Sequence, residues 1–174
     1  MQGVAAVAMS LTPVLRDKAE LIIAAAWLHD IGYSPAIAST GFHPLDGARY
    51  LRSTRHASEM VCRLVAHHSN AISEAEIREL AAALNSEFRP APRNLANALT
   101  FCDMTTGPDG QRMTLEDRIA DIRARYNPPD PVRRALNRSE CQLDAAVADV
   151  TRKLAQNASA GRPEAPGRHA DPIT

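Results

Sequence analysis

Of the six histidines in this 174-residue chain, His29, His43, His56, His67 and His68 fall within forty positions, and only His169 lies apart. His29 is followed directly by Asp30, and a further aspartate, Asp103, stands beside Cys102. Imidazole and carboxylate groups gathered in one place suit Mn, Fe, Zn, Ni or Mg better than a thiolate-seeking metal. One or two such divalent ions would make the chemistry hydrolytic, because a bound cation polarises a substrate oxygen and acidifies water. The competing account of the same residues is a set of hydrogen-bonded core histidines with no ion at all.

The elements that must position these groups are helical. Leu21 to Leu28 is apolar on every face, which implies a helix buried all round, and it ends in His29-Asp30 with Gly32 as a natural stop. His67 and His68 close a helix whose apolar set is Met60, Val61, Leu64 and Val65. His68 continues the Val61–Val65 row and His67 the Met60–Leu64 row, so both are expected to leave its inward side. His43 precedes Pro44 and so opens a short helix carrying Leu45, Ala48 and Leu51. Asp103 lies four residues after Leu99, at the edge of another apolar helical face. Four helices presenting histidines and aspartates inward point to one site inside a bundle.

These segments carry a family resemblance. Ala25-Ala26-Trp27-Leu28-His29-Asp30-Ile31-Gly32-Tyr33 resembles the signature of the HD superfamily of metal-dependent phosphohydrolases. His43 to Leu51 resembles the histidine-led helix of members with two metals, Leu64 to His68 their paired-histidine segment, and Asp103 the late aspartate. The resemblance runs from about Met1 to Tyr126. It implies an all-α fold with a divalent metal ligated by His29, Asp30 and Asp103, and a second ion using His43, His67 and His68. It further implies hydrolysis of a phosphoester, of a nucleotide or a related small molecule, with Asp30 bridging the ions or orienting the water. Arg49 and Arg52 follow His43 on the same helix and could grip a substrate phosphate; a solvated basic face is the alternative.

Two departures from the family pattern stand out. Similar chains begin with another histidine on the first helix, in a His-Val pair ahead of a Gln-Gly-Val-Ala-like stretch, and no histidine lies between Met1 and Leu28 here. One expectation is that the chain as written starts one residue late; the other is a site short of a ligand. The second case would give a degenerate HD domain that binds a nucleotide or a partner without catalysis. Tyr33 also stands where many members carry lysine, which leaves one cation fewer near the site.

The remainder is expected to support that domain, over residues 1–156. Twenty basic residues balance twenty acidic ones, which gives no sign of a nucleic-acid polymer or a membrane surface as partner. No apolar run approaches the ~20 residues that span a bilayer, and no Lys or Arg precedes Arg16 to make a leader, so a cytoplasmic location is expected. Cys62, Cys102 and Cys141 are widely spaced and read as core thiols. Ser73 to Glu76 reads as a capping box ahead of Ile77, Leu80, Leu84 and Phe88. Thr114 reads as the cap of a helix with Leu115, Ile119, Ile122 and Tyr126 inward. A last helix is expected from about Pro131 to Gln156, then a disordered tail over 157–174 that includes His169. His56 lies off the pattern and is read as surface.

Overall fold

The computed structural model describes residues 1–160, and its elements are helices joined by short turns. Helix α1 (Gln2–Ser10) and the single turn α2 (Thr12–Leu15) lead to α3 (Ala19–Leu28). Then come α4 (His43–Thr54), α5 (Glu59–Ala66), α6 (Ile72–Ile77) and α7 (Ala81–Glu87). Helices α8 (Arg93–Met104), α9 (Leu115–Arg125) and α10 (Pro131–Ala160) complete the bundle. Among the described residues the nearest thing to a strand is one bridge pair, Thr106 with Arg112. None of these helices is long and apolar enough to cross a membrane.

Three apolar clusters hold the helices together. Val4, Ala8, Ile22, Ala25, Leu99 and Cys102 join α1, α3 and α8. Phe42, Leu45, Leu51, Val61, Val65, Leu84 and Phe88 join α4, α5 and α7. Met104, Ile119, Ile122, Leu136 and Leu143 pack α9 and α10 onto the end of α8. Small residues at the crossing of α1 and α3 let those two backbones approach, and each cluster removes apolar area from water. The polar site lies where the first two clusters give way to the third.

Several sequence expectations are corrected locally. Trp27 is exposed, so α3 buries Ile22, Ala25 and Ala26 on one side and is not enclosed all round. Ser73 lies inside α6, whose N-cap is Ala71, and its hydroxyl accepts from the Asn70 amide instead of capping. The stripe from Ile77 to Phe88 is split between α6 and α7, with Glu79 between them at φ +61°. Cys141 is exposed, unlike Cys62 and Cys102. Thr114 does cap α9, accepting from the Asp117 amide at 3.0 Å. The last helix continues to Ala160, four residues beyond Gln156. The rest of the expected tail, with His169, lies outside the described residues.

Gly32 has a different reason from the one its position after a helix suggests. It occupies a 3₁₀ turn, Ile31–Tyr33, and is not among the residues of positive φ. A Cβ there would stand 2.0 Å from the carbonyl oxygen of His43 and 2.7 Å from the Gly47 nitrogen. Glycine is needed because the turn after α3 lies directly on the start of α4. That contact sets His43 beside His29-Asp30.

Candidate metal centre

Four helix ends converge on one group of side chains. His29 and Asp30 follow the last residue of α3, His43 is the first residue of α4, His68 follows α5, and Asp103 lies in the last turn of α8. Asp30 is central. Its Oδ2 lies 3.3 Å from Nε2 of His29, and its Oδ1 lies 3.4 Å from Nε2 of His43 and 3.9 Å from Nε2 of His68. Asp103 Oδ1 stands 3.7 Å from His29 Nε2. Donor atoms of Asp30, His43 and His68 all fall within 4.8 Å of one another, a spacing one metal ion could span.

The imidazoles are oriented from behind. Nδ1 of His29 lies 2.9 Å from the Ala26 carbonyl oxygen, and Nδ1 of His68 lies 2.7 Å from that of Val65. A carbonyl only accepts, so each Nδ1 carries the proton and each Nε2 is turned toward the cluster. This is how metal-binding histidines are usually held. The Nε2 atoms of His43 and His68 are 3.2 Å apart. Two nitrogens on one ion at about 2.0–2.1 Å sit roughly 3.0–3.4 Å apart, so the spacing fits a shared cation. Residues and geometry therefore suit a divalent metal. They suit a packed apolar core poorly.

The electrostatics agree. The carboxyls of Asp30 and Asp103 are held well below the usual carboxylate range; burial opposes this, and the bond from His29 overcomes it in both. Burial would also lower His29, but Asp103 and Asp30 push it up to about 10. His68, enclosed and next to His43 and His29, is pushed down to about 4. Asp103 and the more open Asp30 thus favour a positive charge within the cluster, whether a proton on His29 or a bound cation.

Residues not expected among the ligands also shape this centre. Ser69 and Asn70 both have positive φ, +47° and +59°, and this bent backbone brings the Ser69 hydroxyl to Asp103 Oδ2 at 2.5 Å. Such strain concentrates at functional sites. Asp46, only 2% exposed, accepts from the amide and hydroxyl of both Ser39 and Thr40 and so ties the loop before α4 to the helix. Tyr33 stacks on His43 with ring centroids 3.8 Å apart. Arg118 of α9 lies 3.8 Å from Asp103 Oδ1.

Three residues singled out in the sequence are not brought to the cluster. His67 donates through Nε2 to the Phe88 carbonyl at 2.7 Å, so its ring faces α7. It leaves the helix in the neighbouring row to His68, and one residue of helical turn separates the two directions. Arg49 is bonded to Glu87 (Nε to Oε2, 2.8 Å), and Arg52 to Glu59 (2.6 Å) with its guanidinium over the Phe88 ring. Both belong to the outer surface of α4. His56 is exposed.

A cavity of ≈ 210 Å³ opens from the cluster toward α9 and α10. Asp30, His43, His68 and Asp103 line one end of it, and Ile122, Leu136 and Leu143 the other.

The model of the HD domain family matches residues 1–124, about seven-tenths of the chain, and covers all four helix ends. The chain belongs to the HD-domain family, which places it in a superfamily of metal-dependent phosphohydrolases. No curated protein and no solved structure matches it significantly.

Proposed function

We propose that the chain is a metal-dependent phosphohydrolase that cleaves a small phosphoester, with His29, Asp30, His43, His68 and Asp103 as its metal-binding residues. The observation that supports this most strongly is the position of Asp30, whose two oxygens face two different donor groups. Oδ2 faces His29, itself next to Asp103; Oδ1 faces His43 and His68. A carboxylate so placed can serve two ions at once. Asp30 is also the most open of the group, with 39% of its side chain exposed against 1% for His29 and 13% for Asp103.

A bound divalent ion supplies the charge that acidifies water and steadies the phosphoryl oxygens. The chain's own groups do the rest. Asp30, the most exposed of the group, orients the attacking water, while His29, His68 and Asp103 hold their places through bonds to Ala26, Val65 and Ser69. Water adds to phosphorus, the P–O bond to the organic group breaks, and the ester oxygen leaves with a proton as an alcohol beside inorganic phosphate. His67, bonded to Phe88, supports the α5–α7 packing instead of an ion.

The test is release of inorganic phosphate from a panel of monoesters and nucleotides, with Mn²⁺ or Ni²⁺ added and with a chelator. Turnover that the chelator abolishes and Asp30→Ala removes is expected. Metal binding with no turnover across the panel would favour the second reading, a domain that binds without catalysis. That reading draws on α1, which contains no histidine.

A further inference from the structure

The polar cluster occupies one end of the cavity, and the other walls carry an arrangement with its own logic. Two cations line the cavity, Arg118 and Arg125, both on α9. Seven residues separate them, so they lie about two turns apart on one face. They share Asp121: Arg118 Nη1 reaches its Oδ2 at 3.0 Å and Arg125 Nη2 reaches the same oxygen at 2.7 Å. Two guanidinium groups share one carboxylate, so Asp121 alone does not balance both. Asp103, 3.8 Å from Arg118, is already engaged by Ser69 and His29.

The two arginines differ in depth. Arg125 is 42% exposed at the rim, whereas Arg118 is 15% exposed and stands beside the His/Asp cluster. Nε of Arg118 is the buried side-chain polar atom without a hydrogen-bond partner among the described residues. A buried donor left unmade costs on the order of 1–3 kcal/mol, so its persistence next to a cavity calls for an acceptor that the protein does not supply. The carboxylate of Glu74, also on this wall, is occupied by Arg78 at 2.6 Å.

Size and lining narrow the acceptor further. At ≈ 210 Å³ the cavity falls below the ~300–1,000 Å³ of ordinary small-molecule pockets. Beyond the arginines the lining is mixed: Ile122 of α9 and Leu136 and Leu143 of α10 supply apolar surface, with Tyr126 and Ser139 among them. Helix α10 lies wholly outside the span that the HD family model matches.

Resting on the proposed hydrolase reading, we propose that Arg118 is the phosphate-gripping residue of this site and that the substrate is a small phosphomonoester. Its phosphate sits between Arg118 and the His/Asp cluster, and its compact, largely uncharged organic group lies against Ile122, Leu136 and Leu143. Arg125 screens charge at the rim and contributes little contact. A compact monoester matches the space beside the cluster better than a dinucleoside polyphosphate or a cyclic dinucleotide.

Calorimetric titration of the full chain with inorganic phosphate tests this, with metal content and melting temperature measured on every sample. Arg118→Gln is expected to weaken phosphate binding by roughly tenfold or more, the loss of one charge-assisted hydrogen bond. Metal content should be unchanged, Arg118→Lys should recover part of the affinity, and Arg125→Gln should shift it by less than about threefold. Phenyl phosphate should bind at least as tightly as inorganic phosphate, and a dinucleoside polyphosphate more weakly. Unchanged phosphate affinity in Arg118→Gln overturns the assignment, as does a loss that merely tracks lost metal, which would make Arg118 a support for Asp103. If Arg118→Gln does not fold, Arg118→Lys decides by the same comparison. Tighter binding of the dinucleotide overturns the substrate class. A wild-type chain that holds metal but no phosphate sinks this inference alone; one that holds no metal sinks the hydrolase reading as well.

Discussion

The two ends of the cavity are built by different means. At the polar end, four helix termini carry one or two of the proposed ligating groups each, and backbone carbonyls behind His29 and His68 set the ring orientations. At the apolar end, α9 and α10 present ordinary amphipathic faces whose arginines share Asp121. The first end is held by hydrogen bonds to the Ala26 and Val65 carbonyls and from Ser69 to Asp103. The second rests on one apolar cluster and the ion pairs of Asp121 with Arg118 and Arg125. Chemistry common to a family can reside in the first while the choice of substrate resides in the second, and changes at the two ends should have different signatures.

The largest contrast is expected from the ligands. Asp103→Ala or His68→Ala should reduce metal affinity by more than about 100-fold, beyond what loss of an outer-shell partner costs. Leu136→Ala should leave metal content alone and change only which monoesters bind. Loss of metal in Leu136→Ala would break the division between the two ends.

Next in size is Gly32→Ala. Its Cβ has no room against His43, so we expect about 3 kcal/mol of destabilisation in denaturant melts, with reduced metal binding because His43 is displaced. A variant as stable as wild type would show that the turn does not set the His43 position.

Asp46→Ala is expected to cost about 2 kcal/mol, since it leaves the Ser39 and Thr40 amides without their acceptor. Burial pushes the Asp46 carboxyl up, but the bonds from Ser39 and Thr40 hold it below the ordinary value. A folded-state value below the unfolded one makes this contribution complete above about pH 3.9 and lost as pH falls through the depressed folded value. The difference between wild type and Asp46→Ala should therefore shrink on acidification. A constant difference down to pH 3 would contradict that sign.

The smallest effects belong to Arg49 and Arg52. Each is paired on the outer face of α4, so replacement by alanine should cost less than about 1 kcal/mol and leave turnover intact. A large loss of activity in either would move substrate recognition away from α9.

This ordering also shows what could be read before the structure. His29, Asp30, His43, His68 and Asp103 interrupt apolar helical rows, and a charged group at the end of an apolar run is conspicuous because burying it is costly. The all-helical fold followed from the same rows. His67 and His68 were indistinguishable by row, because the direction in which a side chain leaves a helix end depends on how the chain turns next, here through the left-handed Ser69 and Asn70. Arg49 and Arg52 were candidates for their closeness in sequence to His43, beside the reading of a solvated basic face, and their partners Glu87 and Glu59 come from other helices. Arg118 was silent, because an arginine on the polar side of an amphipathic helix resembles any solvated charge until the packing of α9 against Asp103 is known.

The central claim is that these five residues bind metal as the chain stands. Elemental analysis of the purified chain after reconstitution, with His68→Ala as control, tests it most directly. One to two equivalents of a divalent transition metal per subunit, lost in the control, is the expected result. No metal above the control would contradict the claim and leave the cluster a hydrogen-bonded group of buried histidines and carboxylates.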